Sequence, residues 1–270
     1  MPETRSGLHY VMHDLRPPWR TTGTPVVFHH GIGTNLGIWA AWVPIIAARY
    51  PVILFDMRGF GRSPVPREDY AWSMREMVAD FWEVAERSGA GRVHIVGESM
   101  GGTIALAAAA ELPRRTASVS ILNATYKGDG VGELGAWHKQ FDTGDASGWS
   151  RRMMENRYAP GAGDSDALAW FEREQAKTVP HVAMGLGALL ARTDLGDCLA
   201  RLDVPLSITL PDESPFVPVE HGAELARIVK NSCLRVVHGV RHGLPFSHAR
   251  QEALYLLDTL DTLEALAGRD

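Results

Sequence analysis

Short apolar segments alternate with longer amphipathic segments along most of the chain, and this alternation predicts the fold. The apolar segments are rich in β-branched residues and show no strict alternation of polar positions, which is typical of parallel strands covered on both faces. The predicted strands are residues 25–29, 51–56, 92–96, 117–123, 205–210 and 232–238. The predicted helices are residues 38–48, 73–88, 103–112, 219–230 and 247–267. The pattern indicates an α/β fold with a mainly parallel central sheet flanked by helices.

The segment 125–203 departs from this alternation. It has helical periodicity, is rich in Trp, Met, Gly and Arg, and contains no convincing strand. We therefore expect a core formed by residues 1–124 and 204–270, with residues 125–203 inserted as a helical cap. An insertion at the carboxyl end of a strand lies over the crevice where open α/β sheets bind ligands.

Composition and charge narrow the class of protein. The 270 residues are 45% hydrophobic and 22% charged, which is enough for one sizeable core. The net charge of -5 comes from interspersed acidic and basic residues, so we expect no nucleic-acid surface. No apolar stretch is long enough for a signal peptide or a membrane span, and we expect a cytoplasmic protein without a membrane partner. Cys198 and Cys233 lack metal-ligand spacing, and both are expected to be reduced.

The sequence Gly-Glu-Ser-Met-Gly at residues 97–101 carries the clearest chemical signal. It follows a predicted strand and precedes a predicted helix, and strand, G-x-S-x-G, helix is the arrangement of a nucleophile elbow. The sharp turn strains the serine backbone and requires small neighbours, which Gly97 and Gly101 supply. Ser99 is therefore the candidate nucleophile.

Four motifs together resemble the α/β-hydrolase superfamily. They are His-Gly-Ile-Gly at 30–33, Asp-Met-Arg-Gly-Phe-Gly at 56–61, the elbow at Ser99, and His242 followed by Pro245. The resemblance implies that His242 is the general base and that the backbone amides of Ile32 and Met100 form the oxyanion hole. Within the superfamily, residues 33–39 and the elbow are most similar to 3-oxoadipate enol-lactonases.

The chain departs from the superfamily pattern at the triad acid. The acid normally stands three residues after a glycine, but Pro211 replaces the glycine and Ser214 occupies the acid position. Three hypotheses remain open: Asp212 or Glu213 serves from a shifted loop, Asp129 serves from elsewhere, or the triad is degraded. We favour the shifted loop, with Asp212 ahead of Glu213.

These features favour a serine hydrolase that acts on a small carboxylic ester or lactone through an acyl-enzyme. Two alternatives are a carbon-carbon bond hydrolase of β-diketone ring-cleavage products and a ligand-binding protein with a degraded triad. A carboxylate-bearing substrate would need a cation from the cap, and the candidates are Arg151, Arg152, Arg157 and Arg192. We expect no metal, nucleotide or flavin cofactor, since none of their motifs occurs. The sequence carries no signal for the oligomeric state.

Overall fold

A computed structural model describes residues 3–132, 141 and 146–267 and contains a seven-stranded sheet. The strands are β1 (Tyr10–His13), β2 (Val26–His29), β3 (Val52–Phe55), β4 (Val93–Glu98), β5 (Thr116–Leu122), β6 (Leu206–Pro211) and β7 (Ser232–Val237). Their order across the sheet is β1-β3-β2-β4-β5-β6-β7. β1 is antiparallel to β3, and every other pair is parallel. The predicted α/β fold with a mainly parallel sheet is confirmed.

The sequence pattern predicted all of these strands except β1. β1 has only four residues and pairs with β3 at the edge of the sheet, where Tyr10 faces Phe55 and His13 faces Val52. Only one of its four residues is fully buried, so it lacks the continuous apolar run that identifies the central strands.

The described helices differ from the predicted ones mainly near the start of the chain. They are α1 (Val43–Ile46), α2 (Met74–Ala85), α3 (Met100–Glu111), α4 (Ala146–Arg157), α5 (Ser165–Gln175), α6 (Pro180–Ala191), α7 (Gly196–Leu199), α8 (Val219–Ile228), α9 (Leu244–Ser247) and α10 (Ala249–Ala267). The helix predicted over 38–48 is a 3-10 turn, Leu36–Trp39, followed by the short α1. Pro44 lies in the first turn of α1, where it favours a helix start and interrupts a continuous helix.

Apolar side chains cover both faces of the sheet. One core combines strand residues such as Ile95 with α2 and α3, including the buried Phe81 and Ile104. The other places Trp39 and Trp42 against strand residues and α10. The sheet is therefore buried on both sides, as a parallel sheet requires.

The helices α4 to α7 follow β5 and precede β6, and we call them the inserted helices. They lie close to the loop that follows β2: a Cβ atom placed on Gly33 would stand 2.9 Å from the Trp149 ring, and one on Gly37 would stand 2.7 Å from the Trp170 ring. Residues 133–140 and 142–145 of the predicted cap lie outside the described residues, and the domain boundaries stay a prediction. None of the described helices combines the length and the apolarity that crossing a membrane requires.

Candidate active site

Ser99 is the single residue between β4 and α3, and its backbone is strained. Its φ is 52° and its ψ is -125°, a conformation that a residue with a side chain rarely adopts. The turn also brings backbones close together: a Cβ atom on Gly97 would lie 2.5 Å from the Gly101 carbonyl oxygen, and one on Gly101 would lie 2.4 Å from that of His30. Glycine is therefore required on both sides, and the serine side chain is lifted out of the turn.

His242 lies beside Ser99. It belongs to the loop after β7, and its Nε2 atom is 3.2 Å from Ser99 Oγ. The ring packs edge-on against Phe216, with 4.7 Å between ring centroids. Its backbone is held as well, since Asn123 Nδ2 donates a hydrogen bond of 2.5 Å to the His242 carbonyl. The structure thus brings together the two residues that the sequence predicted as nucleophile and base.

Ser214 occupies the other side of the imidazole. Its Oγ is 2.9 Å from His242 Nδ1, and the same oxygen accepts two longer bonds, of 3.3 Å each, from the backbone amides of Phe216 and Val217. A hydroxyl can donate one hydrogen bond and accept two, so Ser214 Oγ can bond to Nδ1 in either tautomer of His242. In the tautomer that a general base requires, Nδ1 donates to this oxygen and Nε2 is free to accept a proton. Ser214 therefore engages the second ring nitrogen of His242, but it brings no negative charge.

The structure does not bring the favoured acid, Asp212, to His242. The Asp212 carboxylate instead accepts hydrogen bonds of 2.8 Å from His238 Nδ1 and from the Gly239 amide. The hydrogen bond from His238 lowers the pKa of Asp212. β6 extends through Pro211 and leaves only two residues before Ser214, so the loop directs the Asp212 side chain away from the site.

The other candidate acids also lie elsewhere. Glu213 is exposed, and its backbone amide donates to the Val240 carbonyl. Asp129 is exposed, and its negative charge acts to raise the pKa of His221, against the larger effect of burial. Among the described residues, no carboxylate forms a hydrogen bond or ion pair with His242.

The amides predicted for the oxyanion hole flank the nucleophile. Met100 is the first residue of α3, where helix amides are unpaired and the dipole favours an anion. Ile32 lines the same cavity as Ser99. Within the described part of the chain, neither amide donates to a protein acceptor, so both are available to a ligand.

A buried carboxylate supports the loop that carries Ile32. Glu98 Oε1 accepts a hydrogen bond of 3.0 Å from the Gly31 amide, while its Oε2 is buried without a partner. Burial raises the pKa of Glu98, and the positive charge of Arg157 opposes this shift. Glu98 thus ties the residue before Ser99 to the residue before Ile32.

Arg157 is a buried cation in the same cavity, at the end of α4. Its Nη2 donates to the Ile32 carbonyl at 2.9 Å, its Nε donates to Gln175 Oε1 at 3.0 Å, and its guanidinium lies 5.4 Å from the centre of the Phe171 ring. Burial, assisted by this positive charge, lowers the pKa of His242 well below its ordinary value. The imidazole is therefore neutral at neutral pH, as a general base must be.

The cavity around these groups is small, about 30 Å³. Since one water needs roughly 10–15 Å³ on this scale, about two waters would fill it. Apolar side chains complete its walls, among them Val131, Met153, Leu190, Phe216 and Val217. A larger cleft of about 500 Å³ lies between the Asp56 loop and α5, but neither Ser99 nor His242 lines it.

His30 organises the loop that leads to Ile32. Its Nε2 accepts a hydrogen bond of 2.8 Å from the Met57 amide. Its Nδ1 therefore carries the proton and donates it to the Gly31 carbonyl, also at 2.8 Å. Both ring nitrogens are thus engaged with the backbone. In the described residues, no group of three His, Cys, Asp or Glu side chains is placed to hold a metal ion.

The sequence of the chain matches the profile of the α/β hydrolase fold family over residues 24–249, and the chain belongs to this family. A pimeloyl-[acyl-carrier protein] methyl ester esterase of Aeromonas hydrophila is 30% identical over 68% of this chain and 74% of its own length. RutD of Azorhizobium caulinodans, which carries a carbamate hydrolase name, is 33% identical over 48% of this chain and 47% of its own length. The chain thus spans about half the length of that relative. The enol-lactonase of Burkholderia xenovorans LB400 has the same fold, with a TM-score of 0.82 and 19% sequence identity over 94% of this chain and 96% of that chain.

The sequence pattern gave no specific role to three residues that the structure places at the site. Asn123 was placed only at the end of a strand, although its positive φ of 52° and its bond to His242 mark it as part of the site. Glu98 was an unassigned position of the elbow motif. Arg157 was one of four candidate arginines, and only its burial and its place in the cavity separate it from the others.

Proposed function

We propose that the protein is a serine hydrolase that cleaves small carboxylic esters or lactones through an acyl-enzyme. One observation carries this proposal: the strained Ser99 presents its hydroxyl 3.2 Å from Nε2 of a buried histidine. A serine hydroxyl is almost un-ionised at neutral pH, so it needs such a base to attack a carbonyl. The membership of the chain in a hydrolase family supports the reaction class.

In the proposed reaction His242 acts first as a base and then as an acid. It takes the proton of Ser99 as the hydroxyl attacks the carbonyl, and the amides of Ile32 and Met100 stabilise the resulting oxyanion. His242 then returns the proton to the leaving alcohol. Water, activated by the same imidazole, hydrolyses the acyl-enzyme. In both steps His242 Nδ1 donates to Ser214 Oγ, which stands in the place where an acid would also stabilise the imidazolium.

The small cavity favours short acyl groups over the larger products of aromatic ring cleavage. The cavity beside Ser99 measures about 30 Å³, so a bound acyl group must displace the surrounding side chains, and a short acyl group displaces them least. The substrates of the alternative carbon-carbon bond hydrolase are larger and would require a greater displacement of these side chains.

A fluorophosphonate probe and p-nitrophenyl acetate test the proposal. We expect the probe to label Ser99 and the ester to be hydrolysed, with both signals lost in Ser99→Ala and in His242→Gln. Ser88→Ala, which alters a serine remote from the cavity, is the control and should leave both signals unchanged. If wild type neither reacts with the probe nor hydrolyses the ester, the proposal fails.

The serine at the acid position favours a second candidate, a ligand-binding protein that retains the fold. Without a charged partner, His242 stabilises less positive charge in the transition state than it would beside a carboxylate. The same experiment distinguishes the two candidates, because a binding protein would give neither labelling nor turnover.

A further inference from the structure

Arg157 combines properties that a purely structural arginine does not need. It is only 4% exposed, yet it lines the small cavity that contains Ser99 and His242. Arginine is seldom buried to this extent unless an anion balances its charge, because removing a cation from water is costly. We therefore expect an anion to balance the charge of Arg157 beside Ser99 and His242.

Among the residues that the structure describes, no carboxylate bonds to this cation. Both side-chain hydrogen bonds of Arg157 go to neutral acceptors, the Ile32 carbonyl and the Gln175 amide oxygen. Of the described acidic residues, none forms an ion pair with it. The positive charge of Arg157 acts to lower the pKa of Glu98, but burial has the larger effect and raises it. Glu98 Oε1 is bonded to the Gly31 amide and not to Arg157.

The donors of Arg157 are only partly used. A guanidinium has five N–H donors, and two of its nitrogens are engaged here. The remaining donors suit the two oxygens of a carboxylate, for which the guanidinium is a geometric match. The other arginines considered from the sequence differ, since Arg151, Arg152 and Arg192 are exposed and none of them lines the cavity.

We propose that Arg157 binds a carboxylate of the substrate, so that the enzyme prefers short esters or lactones that carry an anionic group near the scissile bond. This inference rests on the proposed function and names its substrate class. The cavity restricts the distance between the carboxylate and the reacting carbonyl. A half-ester of malonic acid, with one methylene between the two groups, is a short and simple probe. Its hydrolysis adds one water across the ester C–O bond and yields malonate and methanol.

A carboxylate at Arg157 would also assist the base. Arg157 opposes protonation of His242, as its effect on the pKa of that residue shows. An anion that pairs with Arg157 would offset this effect when the imidazolium forms in the reaction. The substrate would then contribute part of the negative charge that Ser214 does not provide, and anionic substrates should gain in kcat as well as in KM.

Two nearly isosteric substrates test the inference. Monomethyl malonate carries a carboxylate where methyl acetoacetate carries a neutral acetyl group. We expect wild type to show at least a tenfold higher kcat/KM for monomethyl malonate. In Arg157→Gln this preference should fall by roughly 10- to 100-fold, the range expected for a lost charge-assisted hydrogen bond. Arg157→Lys should retain part of it.

The ratio of kcat/KM for the two esters shows whether Arg157 binds the carboxylate or only supports the loop of Ile32. Arg157 also holds the Ile32 carbonyl, and a displaced oxyanion loop would slow both esters equally without changing the ratio. Arg152→Gln, on the exposed face of the same helix, is the matched control and should behave as wild type. An equal or higher kcat/KM of wild type for methyl acetoacetate, or an unchanged ratio in Arg157→Gln, would overturn the inference.

Binding of malonate keeps this test independent of turnover. We expect calorimetry to show at least tenfold weaker malonate binding by Arg157→Gln than by wild type. Absence of ester turnover and of fluorophosphonate labelling would remove the proposed function, whereas equal malonate binding by the two proteins would remove the anion site.

Discussion

At the scale of single residues, Ser214 determines how strong a base His242 can be. Its hydroxyl lies 2.9 Å from Nδ1 and can bond to this nitrogen as a donor or as an acceptor. In a well-studied serine protease, replacing the acid by its amide lowers kcat by about 10⁴-fold, because the histidine then adopts the wrong tautomer. An ionised carboxylate at position 214 would only accept from Nδ1, so it would fix the tautomer that a general base requires and add a negative charge.

We therefore expect Ser214→Asp to raise kcat. Exchanging a neutral hydrogen bond for a charge-assisted one is worth about 1–2 kcal/mol, which corresponds to roughly 5- to 30-fold in rate. Ser214→Asn is the control of similar size without the charge. Steady-state rates on p-nitrophenyl acetate measure the effect, and a gain of equal size in both variants would contradict the electrostatic explanation.

The lowered pKa of His242 predicts activity in mild acid. Burial first, and Arg157 second, keep the imidazole neutral below the ordinary histidine pKa of about 6.5. Since the neutral form is the base, kcat/KM for a neutral ester should decline only below pH 6.5. In Arg157→Gln the pKa of His242 rises, and the acid limb should move to higher pH. A wild-type limb centred at or above pH 6.5 would contradict the shift.

At the scale of elements, the ends of β4, β5 and β7 hold the site together. Asn123 follows β5 in a left-handed conformation, with φ 52°, and its side chain bonds to the His242 carbonyl in the loop after β7. Asparagine tolerates this conformation better than most residues with a Cβ. The residue thus joins two neighbouring strand ends through one hydrogen bond.

Substitutions of Asn123 should separate backbone strain from the lost hydrogen bond. Both Asn123→Gly and Asn123→Ala remove the bond, and we expect both to lower kcat by about tenfold, the effect of roughly 1.4 kcal/mol. Alanine adds backbone strain, so it should unfold more easily than the glycine variant by about 1 kcal/mol. Urea denaturation measures that difference, and equal stability of the two variants would argue against strain at this position.

The parts of the structure that the sequence predicted correctly depend on local patterns. Central strands such as β4 are continuous apolar runs, and the elbow at Ser99 is a contiguous motif, so neither needs knowledge of distant residues. β1 was missed because a short edge strand has no such run. The position of Asp212 was not predicted, because the path of a loop and the reach of a carboxylate depend on partners such as His238, 26 residues away.

At the scale of the whole molecule, buried neutral histidines make stability depend on pH. Burial lowers the pKa of His30 to about 4 and that of His29 to about 3. The unfolded chain takes up these protons near pH 6.5 and the folded protein does not, so each histidine favours unfolding as the pH falls below 6.5. The effect is about 1.4 kcal/mol per pH unit for each group. It is absent above pH 6.5, where both states are neutral.

His30→Gln should reduce this dependence between pH 6.5 and 4.5. Burial raises the pKa of Glu98 and Asp56, which acts in the opposite direction. The informative quantity is therefore the difference in slope between wild type and variant, about 1.4 kcal/mol per pH unit in urea unfolding. His13→Gln, at the partly exposed edge strand, is the control. Parallel curves for wild type and His30→Gln would show that the buried imidazole is protonated in the folded state.

The position of Arg157 has a consequence for the two loops of the site. Its side chain holds the Ile32 carbonyl, and its own carbonyl accepts a hydrogen bond of 2.8 Å from the Gly243 amide, next to His242. A single residue at the end of α4 therefore joins the inserted helices to both halves of the reacting machinery. A displacement of α4 would break both hydrogen bonds, and the loop of Ile32 and the loop of His242 would then lose their common anchor together.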